Sequence, residues 1–147
     1  MQFDHVGVFA KSLEQGRALL EEILPIASVS EPFHDPLLKV SVQFLSDASG
    51  IRYEIVAPNG EGNPVEAVLA EGRGILNHVA YRVMDFEASV ARLREARCMP
   101  LGEPRPAVAF GGARVIFFLT PLRMIVELVE TEPGLGGSPA GCRVRPW

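Results

Sequence analysis

The chain has 147 residues, of which 48% are hydrophobic and 22% charged, and its net charge is −4. That length and composition suit a globular domain with a real core, and the acidic balance argues against a nucleic-acid or anionic-membrane surface. No apolar run approaches the roughly 20 residues that cross a bilayer, the N-terminus lacks a basic-then-apolar leader pattern, and Cys98 and Cys142 form no CxxC, so a cytoplasmic protein with free thiols is expected.

Residues 2–9 alternate and predict a strand with Phe3, His5 and Gly7 on one face. Ser12 reads as a helix N-cap with Gln15 as its capping-box partner. The helix that follows carries the apolar stripe Leu13, Leu20, Ile23 and Leu24, and Pro25 limits it. A weak strand is expected near 26–30, then a Pro-rich loop at 31–37. Residues 39–46 and 51–57 predict two strands joined by a turn at 47–50. A polar turn at 58–64 leads to a short helix at about 65–71.

The second half replays this order. Residues 76–83 predict a strand, Asp85 an N-cap, and Phe86, Val90 and Leu93 a helix stripe. A weak strand near 99–103, a Pro/Gly-rich loop at 102–112, and strands at 113–119 and 124–130 complete it. Each half therefore reads as βαβββ. The expectation is one α+β domain over 1–131, with module 1 at about 1–60 and module 2 at about 74–131, and a flexible tail over 132–147.

Within this repeat, His78 follows His5 by 73 residues, and Glu127 follows Glu54 by the same interval without a gap. Glu54 and Glu127 lie inside apolar strands, where a carboxylate is costly to bury unless paired or metal-bound. If a pseudo-twofold axis relates the halves, the four side chains converge on one point. Two imidazoles and two carboxylates suit one divalent ion such as Zn, Co, Ni, Mn or Fe. Two plainer readings stand beside this: a strand Glu on a solvated face, and a duplication that kept these residues after metal binding was lost.

The segments FDHVGVFAKSLE, YEIVAP, LNHVAYRVMDFEASVARLRE and VIFFLTPLRMIVELVE resemble the glyoxalase I and methylmalonyl-CoA epimerase branches of the vicinal oxygen chelate superfamily. The resemblance covers about residues 1–131. It implies paired modules that form a U-shaped mixed sheet around a cleft, with metal ligands from the first and last strands of both modules. His5, Glu54, His78 and Glu127 stand at those places. It also implies metal-stabilised enolate chemistry on a small carbonyl compound or acyl-CoA thioester, with Glu127, or else Glu54, both ligand and proton shuttle, in a homodimer.

A catalytic Glu of the epimerases is implied in the loop before the third strand, where this chain has Leu37. His34 and Asp35 lie nearby and read as solvated. Lys39, Arg105, Arg114 and Arg123 read as ordinary surface cations, and Phe44, Phe117 and Phe118 as barrel wall. The expected function is a metal-dependent isomerase or lyase acting on a small molecule. The alternative is a binding or sequestering module of the same fold, which Leu37 favours.

Overall fold

The computed structural model describes residues 1–72 and 76–131. The proposed tail at 132–147, with Cys142, lies outside the described residues. Module 1 comprises β1 (Gln2–Phe9), α1 (Leu13–Ile23), β2 (Ile26–Val29), β3 (Phe33–Asp35), β4 (Val40–Asp47) and β5 (Arg52–Pro58). The helix α2 (Pro64–Ala70) bridges to β6 (Leu76–Val83), α3 (Phe86–Glu95), β7 (Met99–Pro100), β8 (Arg105–Pro106), β9 (Arg114–Leu119) and β10 (Ile125–Glu130). A single 3-10 turn, Val108–Phe110, precedes β9.

Among the described residues, ten strands form one mixed sheet in the order β2-β4-β5-β1-β6-β10-β9-β7, with β3 on β4 and β8 on β9. The α+β class and the tandem-module architecture are thus observed. The repeat holds at the level of register. Gly7 pairs with Glu54 and Phe44 with Glu54 in the first half. Ala80 pairs with Glu127 and Phe117 with Glu127 in the second. Each of these positions is the other shifted by 73 residues. The halves meet at the antiparallel β1–β6 ladder, which centres on Val6 opposite Val79.

Local chemistry explains the elements. The Ser12 hydroxyl accepts the Gln15 N–H, the Asn63 side chain accepts the Glu66 N–H, and the Asp85 carboxylate accepts the Ala88 N–H, so each cap satisfies an orphan donor. α1 approaches the sheet through Gly16, where an added Cβ would lie 2.8 Å from Ile55. Of the expected apolar stripe, Leu13, Leu20 and Leu24 are half-buried, while Ile23 is 69% exposed. On α3 the expected stripe does pack, with Phe86 and Val90 against Val83, Cys98, Ile116, Phe118, Val126 and Leu128.

The loops are more ordered than the Pro content suggested. β3 lies within the segment 31–37 and adds to the β4 edge. β8 and the 3-10 turn lie within 102–112. Asp35 ties these two segments together. Its Oδ1 accepts the Leu37 and Leu38 N–H groups and its Oδ2 accepts the Val108 N–H, so it is 4% exposed rather than solvated. His34 does face solvent, beside the Ser41 hydroxyl.

Candidate metal centre

Strands β1, β5, β6 and β10 are adjacent in the sheet, and each carries one of the four residues the repeat singled out. The structure brings all four together. The Nε2 atoms of His5 and His78 lie 3.1 Å apart. Glu54 Oε2 lies 3.3 Å from His5 Nε2 and 3.2 Å from His78 Nε2. Glu127 Oε2 lies 3.3 Å from each. One ligand-type atom from each residue falls within 4.8 Å of all the others. His5, Glu54, His78 and Glu127 are 0%, 5%, 3% and 2% exposed, which answers the solvated-face reading of the two carboxylates.

Two β-bulges aim the histidines. The β1–β6 ladder pairs Phe3 with Tyr81 and next His5 with Ala80, so Asp4 is the extra residue. It pairs Gly7 with His78 and next Val8 with Leu76, so Asn77 is extra on the other strand. These bulges occupy equivalent repeat positions. A bulge re-aims side chains beside a site, and here it breaks the simple alternation expected of β1. Phe3 turns away from His5 and meets the edge of Tyr81, which packs against the α3 core.

Asp4 and Asn77 then reach the far side of each imidazole. Asp4 Oδ1 lies 2.7 Å from His5 Nδ1, and Asn77 Oδ1 lies 2.9 Å from His78 Nδ1. An oxygen acceptor at Nδ1 places the ring proton there and leaves the Nε2 lone pair facing inward. In that tautomer the centre holds two imidazole lone pairs and two carboxylates with no donor among them. Glu127 Oε2 accordingly receives no hydrogen bond although it is buried.

The electrostatics show the same deficit of positive charge. Burial alone would lower the histidine pKa values. The neighbouring carboxylates of Asp4, Glu127 and Glu54 outweigh it and push His5 up to about 11. Glu127 and Glu54 likewise push His78 up to about 9. Burial would raise Glu54, but the two imidazoles hold it down at about 2. Two protonated rings facing each other at 3.1 Å would repel. A single divalent cation supplies the same charge without that conflict.

The donor set therefore fits a divalent ion. Separations of 3.1–3.3 Å are edge lengths of a coordination shell with metal–ligand distances of about 2.0–2.2 Å. Imidazole and carboxylate donors without sulfur suit Zn, Co, Ni, Mn or Fe. One backbone feature is also shaped to the site. A Cβ on Gly7 would lie 2.0 Å from His78 Cε1, so only glycine leaves room for that ring.

Residues 4–117 match the family model of the Glyoxalase/Bleomycin resistance protein/Dioxygenase superfamily. The chain belongs to this superfamily. The matched span holds His5, Glu54 and His78 and ends before Glu127. Among solved structures, this member is similar to a hypothetical protein from Bacillus halodurans C-125, with 20% identity over 90% of this chain and 95% of that one, at a TM-score of 0.75. It is similar to methylmalonyl-CoA epimerase from Mycobacterium tuberculosis, with 22% identity over 90% and 89% of the two chains and a TM-score of 0.73. A Streptomyces coelicolor methylmalonyl-CoA epimerase variant in complex with 2-nitronate-propionyl-CoA shares 21% identity over 90% and 99%, with a TM-score of 0.72. At these identities the likeness shows the fold. No curated protein sequence matches.

Around the centre, this superfamily member departs from the sequence expectations in several places. Phe44 and Phe117 do line the centre: Phe44 meets the edge of His5 at 5.6 Å and Phe117 that of His78 at 5.3 Å. Phe118 instead belongs to the core under α3. Arg114 lies over Phe86 and is bound by Glu87 and Glu130. The arginines beside the centre are Arg52 and Arg82, which both bind Asp4 and which periodicity alone did not single out. Phe110 was also missed: its ring stacks on His5 at 5.8 Å. Leu37 is 56% exposed and brings no ionisable group.

Proposed function

We propose that His5, Glu54, His78 and Glu127 bind one divalent metal ion, and that the protein is a metal-dependent enzyme of the glyoxalase/epimerase type. The buried Glu127 Oε2 without a hydrogen bond, among four convergent donors, carries this reading. When bound, the ion supplies Lewis-acid polarisation of a carbonyl oxygen, which acidifies the adjacent C–H. Glu127 is the group that takes that proton, since its Oε2 lies at the centre beside both imidazoles. Asp4 and Asn77 keep the imidazoles in the ligating tautomer. Phe44, Phe110 and Phe117 exclude water around the centre. The substrate class is a small carbonyl compound or an acyl-CoA thioester, and the working form is a homodimer, which sedimentation would check.

The reaction is tested in D2O with metal-loaded protein and 2-substituted acyl-CoA thioesters, methylmalonyl-CoA first. Deuterium is expected to enter at the carbon next to the thioester, and Glu127→Gln is expected to slow this by roughly a hundredfold or more. A second reading rests on Leu37, the closed centre and the covering Phe110 ring. On that reading the protein binds a carbonyl compound without turning it over. Tight binding with no deuterium uptake would select it.

Metal affinity is expected to depend steeply on pH. Both imidazoles must lose a proton before Nε2 can ligate. With His5 raised to about 11 and His78 to about 9, protons compete with the ion for the Nε2 atoms at neutral pH. Binding then releases one to two protons, so affinity should rise by about ten- to a hundredfold per pH unit below pH 9. Isothermal titration in two buffers of different ionisation heat measures the protons released. A value near zero would mean that the histidines are not ligands.

A further inference from the structure

The four candidate ligands obey the repeat, so by themselves they present the same surface to either end of the cleft. A carbonyl compound with two different ends needs something that breaks this symmetry. The flanks of the centre do so. Asp4, Arg52 and Arg82 gather where β1 and β5 begin and β6 ends. Their counterparts, 73 residues away in the other half, are Asn77, Ile125 and Phe9, which carry no charge.

The charged end is built with a surplus. Asp4 accepts from Arg52 Nη1 at 3.1 Å and from Arg82 Nε, so one carboxylate faces two guanidinium groups. Nε and Nη2 of Arg52 and both Nη atoms of Arg82 meet no acceptor among the described residues. The contrast with Arg114 is direct, since Glu87 and Glu130 both answer that guanidinium. Two carboxylates already match a divalent ion at the centre. One positive charge at this end therefore remains unbalanced.

These arginines are also placed and reachable. Asp4 is 5% exposed, whereas the Arg52 and Arg82 side chains are 31% and 37% exposed. The Arg52 guanidinium sits 3.7 Å from the centroid of the Phe44 ring, and that of Arg82 sits 5.6 Å from the Phe110 ring. Both rings touch His5. The guanidinium groups are thus one ring away from the candidate ligands, held by a carboxylate and two aromatic faces.

We propose that Arg52 and Arg82 bind an anionic group of the ligand, a carboxylate or a phosphate, and so fix which end of it enters the cleft on the Asp4 side. This rests on the proposed metal-dependent carbonyl chemistry and narrows its substrate class to anionic carbonyl compounds. A planar fork of donors suits either anion, and Asp4, the carboxylate that both guanidinium groups hold, is already bound by them.

The test uses isothermal titration of metal-loaded protein with levulinate and with its neutral methyl ester, two ketones that differ in one charge. Levulinate is expected to bind about tenfold tighter at low salt, and the preference is expected to shrink as salt is added. Arg82→Met should remove most of that preference, and Arg82→Lys should retain part of it. Arg52→Met is the second variant should Arg82→Met fail to fold, and bound metal is measured in each. Equal binding of the two probes, no binding of either, or an unchanged preference in the methionine variants would overturn the proposal. Should the wild-type protein take up no metal, the metal reading fails separately, and the preference measured in metal-free protein decides the arginine site alone.

Discussion

Metal-free protein is expected to gain about 4 kcal/mol of stability when Zn2+ or Co2+ is added to about a thousandfold its dissociation constant. For a chain of this size that is a rise in melting temperature of roughly 10 °C. His78→Ala is expected to lose the whole gain. The ring is one of two neutral donors in a shell of four, and its Nε2 lies within 3.3 Å of His5, Glu54 and Glu127. The same variant should also be less stable without metal, by about 3–5 kcal/mol, because two buried carboxylates lose one of their cationic partners. Glu127→Gln keeps the shape and removes one charge, so it is expected to fold while losing most of the metal-induced gain. A melting curve that still shifts in both variants would place the ion elsewhere.

Gly7→Ala is expected to damage the centre as badly as loss of a ligand. Its new methyl would lie 2.0 Å from His78 Cε1 and 2.3 Å from Nε2. His78 has little freedom to move away, with Asn77 on Nδ1 and the Phe117 ring against it. Overpacking of this kind costs about 1–3 kcal/mol, and a displaced ligand ring should weaken metal binding by at least about a hundredfold. The control is Ala80→Gly, the equivalent position in the other half, where the methyl is already accommodated. That variant is expected to cost no more than about 1 kcal/mol and to keep the metal. Equal metal affinity in Gly7→Ala and wild type would show that His78 does not need its observed position.

The convergence of His5, Glu54, His78 and Glu127 was legible in the chain because the two His/Glu pairs are separated by one gap-free interval in strongly alternating strands. A register of that kind survives any twist of the sheet, so it places equivalent residues together without knowledge of the turns. The residues that aim those side chains were not legible. Asp4 and Asn77 sit in bulges, and a bulge breaks the two-residue period on which face assignment rests. Gly7 looked like an ordinary strand residue until the register set it opposite His78. The match of Gly7 with Ala80, two small residues at one repeat position, was the available signal.

Other misses have other causes. β3 and β8 are two or three residues long and lie in Pro-rich sequence, so they exist through pairing with β4 and β9 rather than through propensity. Asp35 is buried because one carboxylate collects three N–H groups from two loops, a tertiary arrangement with no local pattern. Arg52 and Arg82 have no charged counterpart in the repeat, so the 73-residue register gives no sign of them. Phe110 reaches His5 from a turn that the Pro/Gly composition of its segment concealed.

The central claim is that one divalent ion is held by the four converging side chains. The most direct measurement is the metal-to-protein ratio of tag-free protein, loaded with Co2+ and desalted, for wild type and for His5→Ala, His78→Ala, Glu54→Gln and Glu127→Gln. The ratio is expected to be one in the wild type and to fall towards zero in both histidine variants, with the Co2+ absorption spectrum changed in both carboxylate variants. A wild-type protein that retains no ion, or histidine variants that retain it with an unaltered spectrum, would contradict the account.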